Sequence, residues 1–230
     1  MKRSEINRAI RRMEEMIHKH GFALPPFCAF TPEEWAEKGY EYDEVRENML
    51  GWDVTDYGEG DFAKIGFSLI TLRNGNLRLR DKYPKAYAEK LLYLEETQYA
   101  PMHFHWSKME DIINRGGANV LIRVYNATPD EAGFLDTDVR VCSDGRTYAV
   151  PAGTQVRLRP GESISIYPHM YHDFTVEPGG GPVLLGEVSM VNDDVHDNRF
   201  YQPIGRFSKV EEDEAPYRLL CNEDPAAKEG

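Results

Sequence analysis

The chain has 230 residues, with 27 Lys and Arg against 39 Asp and Glu and a formal net charge of −12. That balance excludes a phosphate-neutralising nucleic-acid binder, which needs clustered Lys and Arg, and it disfavours docking on an anionic membrane. With 41% hydrophobic and 29% charged residues, this is the composition of a folded globular chain with its own core, and no run approaches the ~18 apolar residues of a membrane span.

The first third reads as helical. Ile6, Ala9, Ile10, Met13, Met16 and Ile17 recur on one helical face, with Ser4 as the expected cap and Gly21 at the expected end. Thr31-Pro32-Glu33-Glu34 combines a capping Thr, a first-turn Pro and a Glu three residues after the cap, with Gly39 expected to close that helix. The acidic stretch from Tyr42 to Gly60 is expected to be helix and then loop. From Gly66 onward the pattern changes to short strands. Phe67–Leu72 precedes a tight-turn signal at Asn74-Gly75-Asn76, Lys85–Lys90 reads as a helical turn, and strands are expected at Leu91–Leu94, Gln98–His105, Asn119–Tyr125, Val139–Cys142, Thr147–Val150, Gln155–Leu158, Ser163–Tyr167, Asp173–Val176 and Val183–Val191. Many short strands separated by Gly and Pro turns mean a β-sandwich or barrel. The expected division is N-terminal helical elements over 1–65, a barrel over 66–191 and an extension at the barrel mouth over 192–230, all within one domain. The start MKRSEINRAIRRMEEM is charged and lacks the apolar stretch of a secretory signal. Cys28, Cys142 and Cys221 are odd in number and far apart. A reducing cytoplasm is therefore the expected compartment, and packed thiols the expected use.

Two stretches carry chemistry. In Met102-His103-Phe104-His105-Trp106-Ser107-Lys108-Met109-Glu110, the two histidines lie two apart on a strand and project to the same face. Glu110 is far enough along for the chain to turn and return a carboxylate to the same point. The second stretch, Gly161 through Pro168-His169-Met170-Tyr171-His172, is a strand, a proline turn and a histidine entering the next strand. His169 lies in the turn and His172 opens the next strand.

Together these stretches resemble the paired histidine motifs of the cupin superfamily, small jelly-roll barrels. The resemblance implies a mainly β fold, a double-stranded β-helix with the N-terminal helices packed on it, and a divalent metal held by His103, His105, Glu110 and His172. It extends further. Lys108–Gly117, Gly186-Glu187-Val188-Ser189, Val191–Asp194, His196-Asp197-Asn198 and the acidic end from Glu211 to Glu223 are similar to the D-lyxose isomerase family of cupins. That likeness implies Mn2+ dependence, interconversion of D-lyxose and D-xylulose with some activity on D-mannose, and a homodimer.

The residues agree with such chemistry. Three imidazoles and a carboxylate suit Mn2+, Co2+, Fe2+ or Zn2+, and an ion so held could chelate an open-chain sugar and stabilise a cis-enediolate while a base moves a proton between C2 and C1. Glu187 interrupts an apolar run and shares a strand face with Val183 and Leu185, so it is the expected base. Lys108 lies between the ligands of the first stretch and could bind a sugar oxygen or donate a proton. Asp193 and Arg199 belong to a segment expected at the barrel mouth, Lys90 is a further candidate for sugar hydroxyls, and Trp106 could stack on a sugar face. Other readings stay open at this point: a phosphosugar isomerase, an iron dioxygenase, or a non-catalytic sugar-binding cupin.

Overall fold

A computed structural model describes residues 1–229. Its helices are α1 (Arg3–Lys19), α2 (Pro32–Ala36) and α3 (Asp43–Glu47). Its strands are β1 (Gly51–Thr55), β2 (Phe67–Arg73), β3 (Tyr87–Leu94), β4 (Tyr99–Phe104), β5 (Glu110–Gly117), β6 (Val120–Ala127) and β7 (Phe134–Leu135), followed by β8 (Val139–Ser143), β9 (Arg146–Val150), β10 (Gln155–Leu158), β11 (Ser163–Ile166), β12 (Met170–Val176), β13 (Val183–Met190) and β14 (Arg199–Phe200). They form an eight-stranded sheet in the order β1-β2-β3-β13-β5-β11-β8-β9 and a six-stranded sheet built on β10-β6-β12-β4-β14, with β7 added beside β6. All strand pairs are antiparallel. The two sheets face each other as a jelly roll.

The apolar runs of β2, β3 and β13 are continuous because both faces of these strands are buried. Leu69, Leu92, Leu94, Val183 and Leu185 point into the space between the sheets. Their sequence neighbours Ile70, Leu91, Tyr93 and Leu184 point outward and meet Ile6, Ile10, Met13 and Ile17 of α1. The helix thus covers the outer face of these strands, and the stripe of apolar residues at helical spacing is what fits it there.

Local signals decide some ends, and distant segments decide others. Thr31 and Glu34 make the expected capping box, with both bonds present, although α2 stops at Ala36, before Gly39. Gly21 follows the end of α1 at φ 75°, a conformation that favours glycine. Ser4 is not the cap of α1. The cap position is Lys2, and the Asp213 carboxylate accepts from the Ser4 amide at 2.8 Å and from its hydroxyl at 2.7 Å, so an acid from the tail serves the helix start. The stretch after α3 holds a strand, β1, which pairs along β2. Lys85–Lys90 enters β3 rather than a helical turn, because Lys90 is held in register opposite Glu187. Asn74-Gly75 does not make a tight turn: β2 and β3 pair antiparallel across a long connection over 74–86, in which the buried Asn74 side chain exchanges bonds of 3.0 Å with the backbone of Asn192. Glu110–Gly117 is a central strand, although its polar composition hides this, since Glu110, Ile112 and Asn114 face inward between β13 and β11.

The tail has two uses. Asp194, Asn198, Phe200 and Arg206 line the cavity that Lys90 and Glu187 also line, and the remainder returns to α1, where Arg3 pairs with Glu212 and Glu223, each at 2.6 Å. Near its end, burial pushes the Asp224 carboxyl up to about 7, opposed by Arg46 and reinforced by Glu223. The folded chain therefore holds a proton that the unfolded chain releases near pH ~4, so this group's contribution to stability falls as pH rises from there to about 7. Asp224→Asn is expected to gain stability relative to the parent chain across that window in denaturant titrations. A difference that does not change with pH would contradict the assignment.

Candidate active site

The six-stranded sheet supplies the histidines. His103 on β4 and His172 on β12 are direct cross-strand partners, and His105 follows β4 by one residue. Between His172 and Phe174 the register slips by one, because three steps along β4 (His103 to Ala100) oppose two along β12. Pro101, which has no N–H for a ladder, sits in that irregularity. The ligand-capable atoms of the three rings lie within 4.8 Å of one another.

Each ring is oriented by a backbone carbonyl at Nδ1: Pro101 for His103 at 2.7 Å, Asp197 for His105 at 3.0 Å and Met170 for His172 at 3.0 Å. A carbonyl only accepts, so Nδ1 carries the proton and Nε2 of the neutral ring presents its lone pair inward. Burial, together with the His172 and His105 rings beside it, holds the His103 imidazole well below its ordinary pKa, which keeps it neutral. The Nε2 atoms of His105 and His172 are buried without a hydrogen-bond partner, an arrangement that costs free energy unless something is bound there.

Across the barrel, Glu110 opens β5 and places Oε1 3.4 Å from His105 Nε2 and 3.3 Å from His172 Nε2. Burial pushes its carboxyl up, but Lys108 and His105 outweigh that and hold it well below the usual range. Three imidazole nitrogens thus converge, with one carboxylate oxygen beside two of them, and such donors fit a divalent ion of mixed nitrogen and oxygen preference.

Beside this cluster runs a chain of buried charges of alternating sign. Lys108 Nζ lies 2.6 Å from Glu110 Oε2 and 3.1 Å from Glu187 Oε1. Lys90 Nζ lies 3.6 Å from the same Glu187 oxygen and 3.4 Å from Asp194. Arg206 completes the chain, 2.9 Å from Asp194 and 2.6 Å from Asp53. Asn192 Oδ1 accepts from Lys90 at 2.7 Å and from Lys108 at 3.1 Å. Burial lowers the Lys108 ammonium's pKa, yet Glu110, Glu187 and Asp194 together hold it above the ordinary lysine range. Burial likewise raises Asp194, and Lys90 and Arg206 pull it well below the usual carboxylate range. Lys90 and Glu187 are cross-strand partners on β3 and β13 and share the inward face of Leu92 and Leu185. A cavity bounded by His103, His105, Lys108, Glu110, Glu187 and Lys90, among others, opens between the sheets.

Of the residues singled out in the sequence, His103, His105, Glu110, His172, Lys108, Glu187 and Lys90 are brought together. Three others are not. Trp106 has the strand parity of Phe104 and packs on that ring, facing away from the histidines, with its indole N–H donating to Glu131 at 2.9 Å. Arg199 pairs opposite Phe104 on β14 and donates to the Phe200 carbonyl. Asp193 turns outward to His196 at 2.9 Å, while Asp194 takes the inward place. His169 stands in the turn, 3.6 Å from Glu131. Sequence reasoning missed Asp194, Arg206 and Asp53. Alternation along β1 sets Asp53 on the face opposite Trp52 and Val54, which reads as solvated although both faces are buried, and Arg206 sits in a tail without periodicity.

The D-lyxose isomerase family model matches residues 1–224. The D-lyxose/D-mannose isomerase of Escherichia coli O157:H7 is 46% identical over 224 residues, covering 97% of this chain and 98% of that protein. The D-lyxose/D-mannose isomerase of Serratia proteamaculans is 47% identical over 224 residues, covering 97% of each chain. Among solved structures, the unliganded L-ribose isomerase of Cellulomonas parahominis superposes with a TM-score of 0.59 at 16% identity, over 92% of this chain and 98% of that one. The L-ribose isomerase of Acinetobacter sp. DL28, in complex with L-ribose, gives 0.55 at 13% identity, over 91% and 98%. These structures show a shared cupin-like fold, and the sequence relatives show more: the chain belongs to the D-lyxose isomerase family, whose members are aldose–ketose isomerases.

Proposed function

We propose that the chain interconverts D-lyxose with D-xylulose, and D-mannose with D-fructose, by proton transfer through a cis-enediolate in a metal-dependent site. One observation carries the proposal. Three imidazoles clipped at Nδ1 converge, with Nε2 of His105 and His172 beside Glu110 Oε1, next to a buried carboxylate flanked by two ammonium groups. His103, His105, Glu110 and His172 would hold a divalent ion, Mn2+ being the expected one. When bound, such an ion polarises the sugar carbonyl as a Lewis acid and stabilises negative charge on the neighbouring oxygens.

The remaining work falls to the chain. The Glu187 carboxylate takes the proton from C2 of the open-chain aldose, and the electron pair released forms the C1–C2 double bond of the enediol. The C1 carbonyl pair moves onto O1, which takes up the O2–H proton, and the same carboxylate returns its proton to C1 as the C2=O bond forms, giving the ketose. Lys108 donates a hydrogen bond to the sugar oxygen that gains charge and compensates the carboxylates on either side of it. Lys90 holds the far side of Glu187 and reaches toward sugar hydroxyls. Phosphorylated substrates are disfavoured because Asp53, Asp194, Glu187 and Glu110 neutralise the cations of the cavity wall.

Calorimetric titration of the metal-free chain with Mn2+ is expected to show one tight site that His172→Ala abolishes; unchanged affinity in that variant would rule out the donor set. Glu187→Gln is expected to bind Mn2+ normally and to lose about 10²–10⁴-fold in kcat. A loss below a few-fold would place the base elsewhere.

A further inference from the structure

The loop between β4 and β5 carries His105 and Lys108 and delivers Glu110, yet it has no secondary structure of its own. A single residue from the far end of the chain bonds it three times. The Asp197 carboxylate accepts from two consecutive amides, Ser107 N through Oδ1 and Lys108 N through Oδ2, each at 2.9 Å. The Asp197 carbonyl accepts from His105 Nδ1 at 3.0 Å. Asp197 is itself fixed, since its amide donates to the Asp193 carbonyl at 2.9 Å. On the same segment, Asn192 and Asp194 bond the ammonium groups of the cavity.

From this geometry we propose that Asp197 is a positioning residue. It sets the tautomer and aim of His105 and the approach of Lys108, and so links the order of the 192–198 segment to metal affinity and to turnover. The inference rests on the reading of His105 as a metal ligand. The physical reason is that a ring whose Nδ1–H is fixed keeps its Nε2 lone pair aimed without further ordering on binding, and loss of such outer partners costs about 10–100-fold in metal affinity. Two consecutive amides pointing at one carboxylate also force a single loop shape. An amide side chain in its place accepts from one of them and turns an N–H toward the other.

The test compares Asp197→Asn, which keeps size and shape, with Asp197→Ser, which is too short to span both amides. Val195→Ser serves as a control, because Val195 lies in the same segment and is 56% exposed. Each full-length variant is stripped of metal and titrated with Mn2+ by calorimetry, its metal-free Tm is recorded, and kcat and KM for D-lyxose are measured at saturating Mn2+. Both variants keep the Asp197 carbonyl but lose the clamp that holds it against the loop, so the expected result is a Mn2+ Kd raised several-fold, with about 10–100-fold, the cost of losing a ring's outer partner outright, as the upper bound, together with a lower kcat, little change in KM, and no change in the control. A lowered Tm with Mn2+ affinity and kcat at parent values would reduce Asp197 to a structural residue and overturn the proposal. His105→Ala is the reference. If it too leaves Mn2+ affinity intact, the metal reading and the positioning role fall together; if it alone weakens binding, only the positioning role fails.

Discussion

Everything at the centre of this barrel depends on one constraint: charges placed in an apolar interior must be compensated there. Glu110, Lys108, Glu187, Lys90, Asp194, Arg206 and Asp53 alternate in sign along one continuous chain of contacts. None of these groups would be tolerated alone between walls such as Leu69, Leu92, Ile112 and Leu185. Their contacts come from β1, β3, β5 and β13, from the β4–β5 loop and from the tail, so compensation requires the eight-stranded sheet to be in one register. A slip of one residue on β13 would turn Glu187 outward and Val188 inward.

The same constraint explains the division of labour between the sheets. The six-stranded sheet holds imidazole donors, with each ring fixed by a carbonyl of its own neighbourhood or of Asp197. The eight-stranded sheet holds the charged groups. An ion held by the imidazoles would face carboxylate and ammonium groups that are already oriented, so polarisation and proton transfer need little rearrangement.

The legibility of this site in the sequence followed the range of the interactions. His103, His105, Glu110 and Glu187 could be read because strand parity is local and two-residue periodicity places side chains directly. The same parity, applied to Trp106, would have turned it outward with Phe104, whereas Arg199 takes its side from the pairing of β14 with β4, which no local pattern shows. Asp194 and Arg206 were not legible, because their partners lie on β1 and β3, more than a hundred residues away in the chain. The start of α1 failed for a similar reason: Ser4 has the composition of a cap, but the group that serves the helix is Asp213 from the tail. Strand β5 was hidden by the residues that make it useful, since Glu110 and Asn114 occupy inward positions where an apolar residue would have marked a strand.

On the proposed mechanism a proton, and not a hydride, moves between C2 and C1 by way of a buried carboxylate. The most direct test is to run the conversion of D-lyxose to completion in deuterium oxide and read the C1 position of the ketose by NMR. Proton transfer through Glu187 predicts deuterium at C1, entering by exchange on the carboxylate before the proton is returned. A ketose with no deuterium at C1, all of its hydrogen carried over from C2, would contradict the account.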